Sequence, residues 1–345
     1  MIIKSKVLTT GKDCKTPLRY TPNREVFDTY AHYYMKEPQE LFDDTAGVVN
    51  DPQEDDDMSS EEIEDNEIRA TDRMAVALTT EDTDFRMDVY IFDSETAAFY
   101  VHHDEFLHGT PTDLALVDRN EDPLALISNE DGTVSTYRLF VTNHFLPDSV
   151  IAAHSSKVEG IAASLAHVMS YSAKSMKLWD IASQKNVITL EKATKAATLC
   201  ENMLYFEENA SLCMMDIRDS AVHKVFACPA NITAVAAAGN MVTAGLCDGT
   251  VIYSINKAKE KSFKAHAQKI NNMEASLDRY ITCASYDETI TLFDTQNCEI
   301  IERRETGLDN VSVGVPADSA AVYTYPTQEG ELELGSFEEA LLRVE

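Results

Sequence analysis

Between residues 70 and 335 apolar residues recur mostly at every second position and almost never at the three-to-four spacing of a helix face. ITAVAAAG, MVTAGLCD, TVIYSI and KSFKAH follow one another from residue 232, with the turn residues Gly239-Asn240 and Asp248-Gly249 among them. Alternation broken by such turn residues predicts short consecutive strands. By contrast, residues 21–42 carry Val26, Phe27, Tyr30 and Tyr34 at helical spacing, which predicts a helix packed on the strand-rich body.

The strand pattern repeats. KSMKLWDIASQKNVITL (174–190) and DETITLFDTQNCEII (287–301) are the same kind of unit: turn, strand, aromatic-Asp, turn, strand. Aligned on the slot of Trp179, the chain yields Phe92, Tyr137, Trp179, Met215, Ser254, Phe293 and Gly335, at intervals of 45, 42, 36, 39, 39 and 42 residues. A period near 40 with four strands per unit predicts an all-β fold, a seven-bladed WD40 β-propeller over residues 70–337.

The best-formed unit, Ala265 to Asp294, resembles the WD40 family in His266, Ile270, Ser285, Asp287 and Phe293. That resemblance implies a structural hydrogen-bond set of His266, Ser285 and Asp287. Phe293 replaces the family's tryptophan, so the last link is missing. A second unit pairs His154 and Val158 with Trp179 but has Ala173 where the aspartate belongs.

A propeller must leave no open sheet edge. The strand-like residues 2–10, within a basic segment spanning 1–20, are therefore expected to close the ring by completing the blade that contains residues 311–337. Their removal is expected to open the ring and lower the melting temperature. Residues 338–345 read as a short helix or tail.

Charge refines this layout. From Glu37 to Ile68 there is no lysine or arginine, and DPQEDDDMSSEEIEDNE is mostly acidic. Residues 43–69 thus read as a disordered acidic linker, because like charges repel and little apolar surface exists to bury. Ser59, with Glu62 three residues on, is a candidate phosphosite, weighed against the frequency of such contexts in acidic tracts.

The whole chain of 345 residues carries a net charge of −30, which excludes nucleic-acid binding over the entire surface. Local basic patches are left as candidate RNA contacts: Lys4, Lys6, Lys12, Lys15 and Arg19 at the start, and Lys257, Lys259, Lys261 and Lys264 before His266. The plainer reading of these lysines is that they keep an outer strand soluble and unpaired.

Seven cysteines without a C-x-x-C pair fit neither a disulfide framework nor a zinc ribbon, and read as core fillers in a reducing compartment. No apolar run approaches bilayer length and MIIKSKVLTT lacks the hydrophobic segment of a secretory signal, so a soluble intracellular protein is expected. The sequence has no G-x-x-x-x-G-K-[ST] or H-E-x-x-H motif and no recognisable Ser-His-Asp set. A non-enzyme without cofactor, metal or small-molecule substrate is expected.

In FYVHHDEFL (99–107) strand alternation places His102 and His103 on opposite faces, where they would not share an ion. The stretch 70–107 instead resembles the periodic tryptophan protein 1 family, WD40 proteins of ribosome assembly. Thr71, Asp72, Val89, Tyr90, Ile91, Tyr100, Val101, His102, His103 and Asp104 match in order, and Lys15 to Pro17 is similar to the family's head segment.

The resemblance spans the first third of the chain. It implies a non-catalytic scaffold of the nucleus and nucleolus that binds early large-subunit precursors, touching pre-rRNA and ribosome assembly factors. Such a protein would be monomeric within a larger complex and independent of membranes. Two alternatives stay open: a WD40 adaptor for chromatin or ubiquitin-ligase complexes, and a propeller enzyme with a metal in its central channel.

Overall fold

The computed structural model describes residues 1–9, 17–21, 23, 26, 67–81, 84–93, 95–119, 122–309, 311–316 and 319–342. Most of the expected helix at 21–42 and of the acidic linker at 43–69 lies outside the described residues, as do Lys12, Lys15 and Ser59.

Six four-stranded antiparallel sheets follow one another along the chain. The first runs β1 (Ile2–Thr9), β3 (Arg73–Glu81), β4 (Asp84–Asp93), β5 (Ala98–Leu107). The second runs β6 (Pro111–Val117), β7 (Leu124–Asn129), β8 (Thr133–Arg138), β10 (Ser149–Ala152). Between β8 and β10, the two-residue β9 (Val141–Thr142) pairs in parallel with β2 (Leu18–Arg19).

The third sheet is β11 (Gly160–Ala163) to β14 (Asn186–Leu190), with β12 (His167–Tyr171) and β13 (Met176–Asp180) between them. The fourth is β15 (Ala197–Cys200), β16 (Met203–Glu208), β17 (Ser211–Asp216), β18 (Val222–Ala227). The fifth is β19 (Ile232–Ala238), β20 (Met241–Leu246), β21 (Thr250–Ile255), β22 (Lys261–Lys264). The sixth is β23 (Ile270–Ser276), β24 (Tyr280–Ser285), β25 (Thr289–Asp294), β26 (Glu299–Glu305).

This is a β-propeller, and its core lies between blades rather than within them. One cluster joins Val117 and Leu126 of the second sheet to Val168 and Trp179 of the third. Another joins Met241 and Tyr253 of the fifth to Ile281 and Phe293 of the sixth. The repeat slot read from the sequence falls on the third strand of each of these six sheets: Phe92, Tyr137, Trp179, Met215, Ser254 and Phe293.

Seven blades were expected; six four-stranded sheets are formed. The seventh unit is a two-stranded sheet of β27 (Val322–Pro326) and β28 (Leu332–Ser336), preceded by a single bridge from Gly314 to Thr324. Pro316, two residues after Gly314, lacks a backbone N–H. After β28 the chain turns into the short helix α1 (Glu338–Leu341) instead of adding a fourth strand.

The expected role of residues 2–10 is also corrected: β1 does not complete the last blade but is the inner strand of the first, paired with β3 from Lys4↔Leu78 to Thr9↔Arg73. The reason lies in strand supply. The first unit holds only β3, β4 and β5, and β3 is buried along most of its length, so its open edge captures the N-terminal strand. Contact with the last unit is made by side chains and close packing. The Ser5 N–H donates to Ser312 Oγ at 3.3 Å and the Ser5 hydroxyl to the Ser312 carbonyl at 3.4 Å. Gly314 lies so near that an added Cβ would sit 3.0 Å from Lys6 Cα. Ile2 and Leu332 share a small apolar cluster with Ala75 and Ala77.

Candidate functional site

The inner strands surround a channel of about 420 Å³. Its walls are mostly alanine-rich strand faces, with Lys4, Lys6, Asp113, Asp118, Lys195 and Glu274 as charged members. Lys4 Nζ lies 3.3 Å from Asp113 Oδ1, and Lys6 is ion-paired with Glu274. Asp113 also accepts the Ile161 N–H at 3.1 Å, and Asn272 Oδ1 accepts the Val313 N–H at 3.1 Å. A strand from the start of the chain thereby ties together the first, second and sixth blades and the last unit. Burial opposes the charge on Lys6, but the Glu274 carboxylate outweighs it and raises the ammonium pKa. Lys4 and Lys6, expected as candidate RNA contacts, are engaged in the bore by carboxylates instead, because β1 is an inner strand. Arg19 lies on β2.

The buried hydrogen-bond chain implied by the WD40 resemblance is clearest in the third blade. Trp179 Nε1 donates to Ser170 Oγ at 3.1 Å, and Ser170 Oγ lies 2.9 Å from His154 Nε2. The other ring nitrogen, Nδ1, is 3.3 Å from Ser175 Oγ. Burial, then the Lys177 charge, lowers the His154 pKa. The neutral ring therefore accepts at Nε2 and donates at Nδ1.

In the sixth blade His266 Nδ1 faces Asp287 Oδ1 at 3.1 Å and Thr289 Oγ1 at 3.0 Å, while Nε2 faces Cys283 Sγ at 3.3 Å. Burial works against ionisation of Asp287. Hydrogen bonds from Thr289 and the Ala267 N–H outweigh it and hold the carboxyl below its usual range. Ser285 is not the third member: its hydroxyl donates to the Gln268 carbonyl at 3.2 Å and accepts the Asp287 N–H at 3.2 Å. Cys283 takes the place of Ser170, as the pairings Val168↔Trp179 and Ile281↔Phe293 require. Ser285 lies two residues further along the same strand face, a slip that sequence spacing could not detect. The ring of Phe293 stacks on Phe263, centroids 3.5 Å apart.

The histidine pair also departs from expectation. A bulge falls opposite Val89 and Tyr90, which pair with His103 and Val101 and leave His102 as the extra residue. Alternation is interrupted there, and His102 Nδ1 and His103 Nδ1 face each other at 2.9 Å instead of pointing apart. Burial, then the neighbouring His102 and His144, pushes the His103 pKa down to about 3.

Beside them, at the seam between the first and second blades, lies a network absent from the sequence reading. His144 Nε2 meets Asp148 Oδ2 at 3.0 Å and Nδ1 meets buried Glu105 Oε1 at 3.4 Å. Arg138 Nε donates to Asp148 Oδ1 at 2.9 Å. Burial disfavours charge on His144, yet the hydrogen bonds to Asp148 and Glu105 raise its pKa. The i, i+4 spacing of His144 and Asp148 was the available signal, but helical spacing is not read in a loop. Among the described residues no group of three or more His, Cys, Asp or Glu is placed to hold a metal ion.

Lys261 and Lys264 lie on the outer strand β22, with Lys257 and Lys259 on the turn before it, all exposed. Arg218, in the β17–β18 turn, chelates Asp216 through Nε at 2.8 Å and Nη2 at 2.5 Å. Lys257 contributes to the field that, after Arg218, lowers the Asp216 pKa to about 2, so the turns of the fourth and fifth blades adjoin.

No family model matches the chain, and no curated protein matches it. Among solved structures it is similar to that of U3-55K, a WD40 protein, with a TM-score of 0.60 at 15% identity, covering 68% of this chain and 79% of that chain. At that identity the likeness concerns the fold alone, which is that of a β-propeller.

Proposed function

We propose that this protein is a non-catalytic scaffold of ribosome biogenesis, related to the periodic tryptophan protein 1 family, that binds early large-subunit precursors in the nucleolus. The observation that carries the reading is the first blade. Its Thr71-Asp72 entry, its VYI strand and its YVHHD outer strand match that family in order. They occupy one sheet whose inner strand comes from the N-terminus. A propeller supplies separate surfaces to pre-rRNA and to assembly factors at once, so the protein works by positioning its partners.

The seam of His144, Glu105, Asp148 and Arg138 supports this reading by giving the family-like outer strand β5 a structural task. Glu105 on β5 is drawn onto the second blade, and the bulge at His102 leaves the histidine pair beside that contact. The head of the chain is thereby docked onto a rigid frame, as a presenting surface requires.

Depletion of the protein followed by pre-rRNA and subunit profiles tests the proposal. Large subunits are expected to fall while their precursors accumulate. Unaltered precursors, with histone or ubiquitin-ligase components recovered instead, would overturn it in favour of the adaptor reading.

A further inference from the structure

The chain has 59 acidic residues against 29 basic ones, so a lysine on its surface has about two carboxylates to choose from. Yet along the outer edge of the fourth and fifth blades the choice is not taken. Lys224 on β18 and Lys257, Lys259, Lys261 and Lys264 are all exposed, and none makes an ion pair among the described residues. Lys261 Nζ points to Cys298 Sγ at 3.5 Å and Lys264 to the Asp248 carbonyl, neither of them a carboxylate. Within residues 217–224 and 256–264 the opposing exposed acids are Asp219 and Glu260. Exposed Asp248 lies beside Lys264, and Asp216 is taken up by Arg218, so five lysines face Asp219, Asp248 and Glu260; salt screens remoter acids beyond about 8 Å at physiological ionic strength, and a net positive charge remains.

We propose that the outer sector of the fourth and fifth blades, formed by Lys224, Lys257, Lys259, Lys261 and Lys264, is a docking surface for the phosphate backbone of RNA. Three features select a backbone over other anions. The cations run along one edge strand and its turn: Lys259 to Lys264 reaches up to about 17 Å in extended chain, with Lys261 and Lys264 on opposite faces of β22, a length that meets several phosphates, which recur at about 3.4 Å along each strand of a duplex. All five are lysines, point charges without the fork that reads one carboxylate or base edge. The aromatic ring of the sector is not available for stacking on bases, since Phe263 is stacked on Phe293. Recognition is therefore by charge and independent of sequence, with base-specific contacts left to other partners. An acidic polypeptide would need an apolar anchor as well, and Val222 is the exposed large apolar residue of these two stretches.

This deepens the scaffold reading by placing its RNA contact, away from the N-terminal Lys4 and Lys6, and rests on that reading only for RNA as the natural partner. The test uses the full chain and a fluorescein-labelled 20-nucleotide oligouridine, with anisotropy read between 50 and 200 mM salt. Five backbone contacts predict a log–log salt slope of roughly −3.5, at about 0.7 per contact for a single strand. Replacing Lys257, Lys259, Lys261 and Lys264 together by Gln should cut the slope by roughly 3 and weaken binding at least about tenfold at 100 mM salt. Lys157→Gln, at a lysine ion-paired with Glu130 elsewhere on the ring, should leave it unchanged. Bound RNA should also slow alkylation of exposed Cys298, which lies beside Lys261, and this signal should vanish in Cys298→Ser.

Absent binding, an unaltered salt slope in the quadruple variant, or equal affinity for polyglutamate overturns the proposal; the last outcome reassigns the sector to an acidic protein segment. Intact oligouridine binding together with normal pre-rRNA profiles after depletion would overturn the assembly role and leave the docking surface standing.

Discussion

Replacing Ser170 by Ala is expected to be among the most destabilising single-atom changes in the ring. Ser170 is completely buried. Its hydroxyl accepts from Trp179 Nε1 and donates toward His154 Nε2, so the substitution leaves one buried donor and one acceptor without partners. A buried polar group deprived of its hydrogen bond costs about 1–3 kcal/mol. The indole N–H, sealed between two blades, sits at the upper end, and the partly exposed imidazole at the lower, for a total of about 2–4 kcal/mol. Ser285 is buried too, but its partners Gln268 and Asp287 are exposed and half-buried, so water can take over their bonds, and Ser285→Ala should cost about 1 kcal/mol. Trp179 is the one tryptophan of the chain, so urea unfolding followed by its fluorescence reads the affected seam directly. With a urea dependence of about 3 kcal/mol per molar, the Ser170→Ala midpoint should fall by roughly 0.7–1.3 M. A shift below about 0.2 M, or a larger shift for Ser285→Ala, would refute the assignment of Ser170 and Cys283 to equivalent places.

Lys6→Met and Glu274→Gln should each destabilise by about 1–3 kcal/mol, and the double variant by less than their sum, because each single change strands a partly buried charge; additive losses in a denaturation cycle would exclude a coupled pair. Gly314→Ala forces a methyl group against the Lys6 backbone and Thr324, and should lower stability by about 1–3 kcal/mol, seen as a reduced melting temperature; an unchanged melt would mean that β1 and the last unit do not pack closely. The blade-one seam should show a pH signature. His144 has a raised pKa, so its contribution is complete below the imidazole's ordinary value near 6.5 and is lost as pH rises through the raised one. Asp148 has a lowered pKa, so its contribution is present above the ordinary carboxylate range and is lost as pH falls through the depressed value. Wild type should therefore gain stability relative to His144→Gln between pH 9 and pH 6; parallel stability curves over that range would contradict the network.

How much of this was legible can be judged residue by residue. Trp179, Phe293 and the other slot residues were placed on the third strand of their sheets because a two-residue period and a forty-residue repeat are carried by neighbours in the chain. The bulge at His102 was not legible: it depends on how β5 meets β4, and one extra residue reverses which face a side chain takes. Ser285 matches the family pattern, while pairing with β25 decides that Cys283 is the residue that meets the histidine. Lys4 and Lys6 looked like a basic tail in the sequence, and only their strand's inner position set them against Asp113 and Glu274.

By itself, then, the sequence determined the all-β character, the repeating units and the strands that build them, because alternation and turn chemistry act over a few residues. The tertiary structure decided which edge β1 would fill, that the seventh unit would stop at two paired strands, and where positive charge would stay unpaired. Those outcomes depend on competition between distant strands for the same hydrogen-bonding edge, and on which side chains the winning arrangement brings within reach, neither of which a linear pattern encodes.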